Sequence, residues 1–380
     1  MKQLFGYVII FTLLSCNNKS ASLAPFNGLT INIQTNDEKS VFSKILKNSN
    51  FVPLETSSNS LIGKISKILI YKSRIYILDS FHAKALKVYD MTGKFLYKIG
   101  ESDFSDTEVF VPSDFSINYS NGEISLLNNG TSINTYSGDG KLIRNKKVAQ
   151  ISPHKMEKLH DGYAFIGGGR QDNLILTDSD LQVQNKYFPF IDPYVDKLLI
   201  DVFQKVDEDH VIYRRNLNDT IYTINKGSIS PRLLLNFYQK NLTYQAVVDN
   251  TVTERDIAKT YRVKYFYETK DFVYLLFTHA DVPFLALYSK HSKKVDVLKY
   301  TAMKNDVTFE KFGNIIVGAD YDSNTLIFEV LPSSLLKSKA AIFANSTEDI
   351  NQRKKVKDLF LKINLASNSV LGFTQLNDSK

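Results

Sequence analysis

The sequence predicts an all-β fold: a six-bladed β-propeller of four-stranded antiparallel blades. Three observations carry this reading. Runs of five or six β-branched, aromatic and leucine residues alternate with short polar turns. Sets of four such runs recur, and the turn glycines Gly93 and Gly140 lie 47 positions apart in matching contexts. Residues 51–330 hold room for about six units of that period, which is the length of a four-stranded propeller blade.

The first unit is the clearest. Residues 67–71, 74–79, 85–90 and 94–99 form four strands, the last two joined by the Thr92-Gly93 turn. The second repeats the order at 113–119, 123–127, 132–137 and 141–145. Looser units follow: strands at 162–166, 173–177 and 183–187 for a third, and at 202–206, 210–214, 220–224 and 232–237 for a fourth. Residues 263–268, 272–277, 284–289 and 294–300 make a fifth, and 307–311, 314–318 and 326–330 supply three strands of a sixth. Residues 51–54 and the strand-like 369–374 then build the last blade from both ends of the chain, which removes open sheet edges.

Two segments depart from strand alternation and read as helical insertions, near 242–262 and 331–363. In the second, Ser346-Thr347-Glu348-Asp349 fits a capping box, and Val356, Leu359, Phe360 and Ile363 form a stripe expected to pack on the propeller flank. Arg353-Lys354-Lys355-Val356-Lys357 is the densest run of charge and reads as a solvated helix face.

Composition agrees with a strand-rich globular chain. Phe (25) and Tyr (21) are abundant and Trp is absent, a bias that suits strands. Hydrophobic residues make up 43%, which excludes global disorder. The charge of +7 is spread among both signs, so a nucleic-acid partner is not expected.

The one cysteine, Cys16, follows an apolar run. Lys2 supplies a positive start, residues 4–14 an apolar core too short to span a bilayer, and Leu13-Leu14-Ser15-Cys16 looks like a lipobox. Residues 1–15 are then a lipoprotein signal peptide, 16–50 a lipid-anchored tether and lead-in, and 51–380 the propeller. Cys16 is the expected lipidation site, acylated with a chain such as palmitate, and no thiol remains for a disulfide.

Other motifs have ordinary structural readings. Gly167-Gly168-Gly169-Arg170 could cradle an anion, but a bulge or a crowded strand suits it better. His82, His154, His160, His210, His279 and His291 show no zinc spacing. Asp103, Asp106 and Glu108 lack the alternation of a calcium loop, and Asp320 and Asp322 flank Tyr321 in a turn. There is no Gly-x-Ser-x-Gly. No catalytic, cofactor-binding or metal-ligating residue is assigned, and no cofactor is expected.

These residues resemble the six-bladed β-propeller lipoproteins of Bacteroidetes, which are similar to NHL-type propellers. Phe51-Val52-Pro53-Leu54-Glu55-Thr56 and Leu61-Ile62-Gly63-Lys64-Ile65 look like the entry strand of that family. Arg74-Ile75-Tyr76-Ile77-Leu78-Asp79 resembles its first blade, Asn218-Asp219-Thr220-Ile221-Tyr222 its fourth, and Phe284-Leu285-Ala286-Leu287-Tyr288 its fifth. After Lys98-Ile99-Gly100 the family usually carries a Gly-Pro-Gly-Glu loop, whereas this chain has residues 101–108 of different character. The resemblance implies a fold and an exported location, and no activity.

The expectation is therefore a lipid-anchored cell-envelope propeller acting as a non-catalytic ligand-binding or protein-interaction scaffold. Its ligand would be a glycan, a peptide or an envelope protein at one end of the central channel, and the membrane would be met through Cys16. A metal-dependent propeller enzyme, lactonase-like hydrolase or lyase, is the alternative, and a structural subunit using the flank helices a third reading. The expected location is the outer membrane, on its periplasmic face, since Asn17-Asn18-Lys19-Ser20 lacks the acidic residues that resemble a surface-export signal.

Overall fold

The computed structural model describes residues 23–376 except 24, 36–39, 101–109, 149–150, 168–171, 190–201, 216–217, 239–252, 254–259, 309–314 and 345–349. Six four-stranded antiparallel blades form the ring. Blade I comprises Lys67–Tyr71, Arg74–Asp79, Ala85–Asp90 and Phe95–Ile99. Blade II comprises Pro112–Ile117, Ile124–Asn128, Ser132–Tyr136 and Leu142–Lys147. Blade III comprises Lys155–Leu159, Gly162–Ile166, Asp172–Asp178 and Val183–Pro189. Blade IV holds Phe203–Lys205, His210–Arg214, Thr220–Asn225 and Ser228–Asn236, and blade V holds Arg262–Glu268, Phe272–His279, Val282–Ser289 and Val295–Lys299. Blade VI is composite: Ile315–Asp320, Thr325–Val330 and Val370–Leu376 are completed by Leu46–Pro53 from the other end of the chain.

The middle strands read as unbroken apolar runs because stacked blades cover them on both faces. Ile75, Tyr76, Ile77 and Leu78 are all buried, whereas Leu142–Lys147, an outermost strand, is largely exposed. Among the described residues the buried apolar side chains fall into six clusters, one in each gap between neighbouring blades. Among the described residues the ring is thus held by burial in all six gaps, heaviest where blades V and VI meet the helices.

The paired turn glycines of blades I and II do more than turn the chain. Gly93 and Gly140 have φ of +88° and +89°, the left-handed region glycine favours. A Cβ on Gly93 would lie 2.2 Å from the Pro53 carbonyl oxygen of blade VI, and one on Gly140 would lie 2.8 Å from the Tyr97 ring of blade I. Each turn therefore abuts the preceding blade, and the repeat in the sequence marks the contact as well as the hairpin.

Closure is well fastened. Val370 pairs with Pro53 and Leu376 with Leu46 across the seam. Asn368 accepts the Ile62 N–H (2.7 Å) and donates to the Glu55 and Ser60 carbonyls (2.7 and 2.9 Å). Three helices precede the returning strand: α1 (Pro332–Lys337), α2 (Lys339–Ala344) and α3 (Ile350–Leu359). Val356, Leu359 and Ile363 are buried against blades V and VI with Phe360 partly covered, so the expected stripe does pack on the flank.

Some features differ from the sequence reading. Strand pairing begins upstream of residue 51. Leu29–Asn32 adds to blade IV as a fifth strand, parallel to Ser228–Asn236, with Ile31 and Ile33 buried between blades IV and V. Ser40–Val41 pairs in parallel with Met303–Lys304. The lead-in is thus partly built into the propeller, which an apolar pattern of only four residues does not announce. Val307 and Thr308 form a bend instead of opening a strand, and the innermost strand of blade III, Lys155–Leu159, is one the apolar pattern hides behind its charges. Of the insertion expected near 242–262, residues 242–252 and 254–259 lie outside the described residues, as do the capping-box residues 346–349 of the second insertion and residues 1–22 with Cys16. At its described end Thr260 is a bend and Arg262 already opens the first strand of blade V. Among the described residues no helix is long and apolar enough to cross a membrane.

Candidate binding site at the channel mouth

The innermost strands face the central axis, and their charged side chains meet there. Lys67 Nζ of blade I lies 3.0 Å from Asp114 Oδ1 of blade II and 3.5 Å from Glu157 Oε2 of blade III. It also donates to the Phe115 carbonyl at 2.6 Å. Asp114 accepts the Met156 N–H at 2.8 Å, and Ser116 donates to Glu157 while accepting the Lys158 N–H. Lys205 of blade IV donates to the Ile117 and Lys158 carbonyls. Four innermost strands are therefore joined through side chains across a region where their backbones do not pair. Asp114 and Glu157 are buried. Burial alone would depress the Lys67 ammonium, but the two carboxylates outweigh it and hold its pKa above the ordinary lysine value.

Lys67 separates two cavities. The first, about 540 Å³, opens where the innermost strands end in turns and is rimmed by Tyr71, Lys72, Tyr119, Asp320, Tyr321 and Asp322. Tyr71 stacks on Tyr119 with ring centroids 5.0 Å apart, and its hydroxyl donates to the Tyr119 carbonyl at 2.9 Å. Lys205 Nζ lies 5.0 Å from the centre of the Tyr119 ring. Burial first, then the nearby Glu157 and Asp320 carboxylates, raise the Tyr119 hydroxyl pKa. The second cavity, about 760 Å³, lies beyond Lys67 and is more apolar, lined by Ile65, Phe81, Val111, Tyr265 and Leu331. Lys67 and Val317 border both.

Beside the first mouth, Glu268 at the end of an innermost strand of blade V is held by a two-pronged contact from Arg232 (2.7 and 2.8 Å) and by Lys290 at 2.6 Å. Burial opposes the Glu268 charge, yet Arg232 and Lys290 bring its pKa below the ordinary carboxylate value. This latch joins blades IV and V and fixes the rim.

The histidines are scattered. His82 is near Asp79, His160 touches Asp161 and Glu208, His210 contacts Asp207, and His279 stacks on Tyr261. Among the described residues no group of three His, Cys, Asp or Glu side chains is placed to hold a metal. Asp320 ends the strand Ile315–Asp320 and accepts from the Ser323 hydroxyl, Asp322 sits in the turn that follows, and both border the mouth. Gly168, Gly169, Arg170, Asp103, Asp106 and Glu108 lie outside the described residues. The sequence reading missed Lys67, Asp114, Glu157 and Lys205. Their signal was present as charges inside strands that the blade repeat places nearest the axis.

A family model described as a domain of unknown function (DUF4934) matches residues 29–375. The chain belongs to this family. Its first residue is Leu29, the start of the extra strand on blade IV, so the family unit includes that strand. No curated protein matches. A Bacteroides fragilis protein described as exported is similar in structure, with a TM-score of 0.73 at 16% identity, over 92% of this chain and 100% of that one. BamB from Moraxella catarrhalis follows at a TM-score of 0.40 and 10% identity, over 68% of this chain and 69% of that one. The Pan2 WD40 domain of Neurospora crassa is at 0.41 and 6%, over 83% and 76%. The first of these shares the fold, and the other two are too distant to carry an argument.

Proposed function

We propose that this propeller is a lipid-anchored cell-envelope protein that binds an oligosaccharide at the tyrosine-rimmed mouth and does not turn it over. The observation that carries the reading is the shape and chemistry of that mouth. It is large enough for one or two sugar rings, a size usual for ligand sites. Tyr321 and the stacked Tyr71–Tyr119 pair are partly exposed and offer apolar ring surface, the Tyr71 hydroxyl being bound already to the Tyr119 carbonyl, and Asp320 and Asp322 offer acceptors for hydroxyl groups. Lys67 lines the cavity, and its charge is spent on the buried Asp114 and Glu157 carboxylates. The envelope location is supported by the lipobox-like Leu13-Leu14-Ser15-Cys16 and by the description of the Bacteroides fragilis neighbour as exported.

Calorimetric titration with a panel of oligosaccharides tests the ligand. Binding is expected for at least one, weakened about tenfold or more by Tyr321→Ala, since stacking and polar contacts are each worth about a kcal/mol or more. Hydrolysis or elimination of a bound sugar, or affinity untouched by Tyr321→Ala and Asp322→Ala together, would overturn the reading. Metabolic labelling with a tagged fatty acid tests the anchor: wild type should be labelled and membrane-bound, and Cys16→Ser should be neither.

A further inference from the structure

We propose that the helical flank of blade VI is a second membrane contact, one that takes a bilayer surface carrying anionic phospholipid headgroups. The flank has a buried side and an outward side of distinct chemistry. Val356, Leu359 and Ile363 face the propeller, and α3 is pinned by Lys355 donating to the Ser49 carbonyl (2.9 Å) and Gln352 to the Val307 carbonyl (2.9 Å). Outward, apolar groups remain exposed: Phe343 is 51% exposed, Leu361 88% and Leu365 75%. Scattered exposed leucines are ordinary, but these two follow α3 directly, and Phe343 belongs to a basic, aromatic cluster. The Phe343 and Phe360 rings lie 5.9 Å apart. Lys357 Nζ sits 4.7 Å from the Phe343 ring centre and Lys339 Nζ 5.3 Å from that of Phe360.

Charge selects the occupant. Residues 332–365 carry seven basic and three acidic side chains, a net +4 of the chain's +7 in fewer than a tenth of its residues. Arg353 is buried and Lys355 is bonded to the Ser49 carbonyl, which leaves Lys337, Lys339, Lys354, Lys357 and Lys362 for the outward side. Lysine stems cover apolar surface while their ammonium groups reach outward, the arrangement that suits a boundary between acyl chains and phosphates. Each lysine near an anionic surface adds about 1 kcal/mol, falling off within a Debye length. Acyl chains would receive Leu361, Leu365 and Phe343, and headgroup phosphates would receive Lys339, Lys357 and Lys362. A protein partner of the same size would need matching carboxylates, and a second copy of this flank would bring its own positive charge against it. This inference does not depend on the sugar site.

The test uses the chain from residue 17 onward, which keeps every described strand and helix and lacks any acyl group. Co-sedimentation is measured with vesicles of phosphatidylcholine alone and with vesicles containing phosphatidylglycerol, at low and high salt. Binding is expected only with phosphatidylglycerol and is expected to fall as salt rises. Leu361→Ser/Leu365→Ser and Lys339→Glu/Lys357→Glu/Lys362→Glu should each weaken it about tenfold or more while leaving the melting temperature within a few degrees. Equal sedimentation with both vesicles, no sedimentation with either, or variants that bind like wild type would overturn the proposal. Self-association in the absence of vesicles, abolished by the leucine pair, would assign the patch to a second copy instead and also overturn it.

Discussion

Lys67 Nζ and Glu157 Oε2 lie 3.5 Å apart, although 90 positions separate them in the chain and they belong to blades that are not neighbours. The contact crosses the axis past blade II, whose Asp114 holds the same ammonium at 3.0 Å. One cation therefore serves two buried carboxylates where the two cavities meet. Lys67→Met keeps the volume and deletes the charge. It should cost about 3–5 kcal/mol, because it leaves Asp114 and Glu157 buried without the ammonium they share. Chemical denaturation measures this, and a loss under about 1 kcal/mol would show that water already shields the pair.

The latch at Glu268 predicts a pH dependence. Its pKa in the folded protein is below the ordinary value, so its stabilisation is fully present above the unfolded carboxylate pKa and is lost as pH falls through the lower folded one. Glu268→Gln should therefore be destabilised by about 2–4 kcal/mol at neutral pH, the partial exposure of Arg232 and Lys290 moderating the cost. The gap between wild type and variant should narrow steadily under acid. Thermal melts in a pH series would show it, and a gap that stayed constant would remove Glu268 from the acid response.

Gly372 marks a tight contact inside blade VI. A Cβ there would lie 2.0 Å from Phe328 Cζ, within a fully buried ring. Gly372→Ala should cost about 1–3 kcal/mol or more by overpacking. Combined with Phe328→Leu the two losses should be less than additive, because the smaller side chain makes room. A double-mutant cycle with strictly additive losses would rule out the contact as the cause.

The seam between chain ends predicts a cooperative effect. Deleting Leu46–Pro53 removes the outermost strand of blade VI, bares Val370–Leu376 and uncovers α3. The truncated chain should melt well below wild type and associate through the exposed edge, as read by calorimetry and light scattering. An unchanged, monomeric melt would show that the seam contributes little.

The blade repeat was legible because its signals are local. A turn that needs positive φ selects glycine, as at Gly93 and Gly140, and a strand buried on both faces selects an apolar run, as at Ile75 to Leu78. The α3 stripe was legible for the same reason. The fifth strand at Leu29–Asn32 was not, since four residues carry too little periodicity and their partner lies some 200 positions away.

By itself the sequence determined the architecture, the composite last blade and a chemical expectation for Cys16, because alternation, turn residues and an apolar leader act within a few neighbouring positions. Only the tertiary structure decided where the site is. Ring closure brings Lys67, Asp114 and Glu157 to one axis and Tyr71, Tyr119 and Tyr321 to one rim. Those meetings follow from the rotation of one blade against the next, a rigid-body relation that no local pattern of residues encodes.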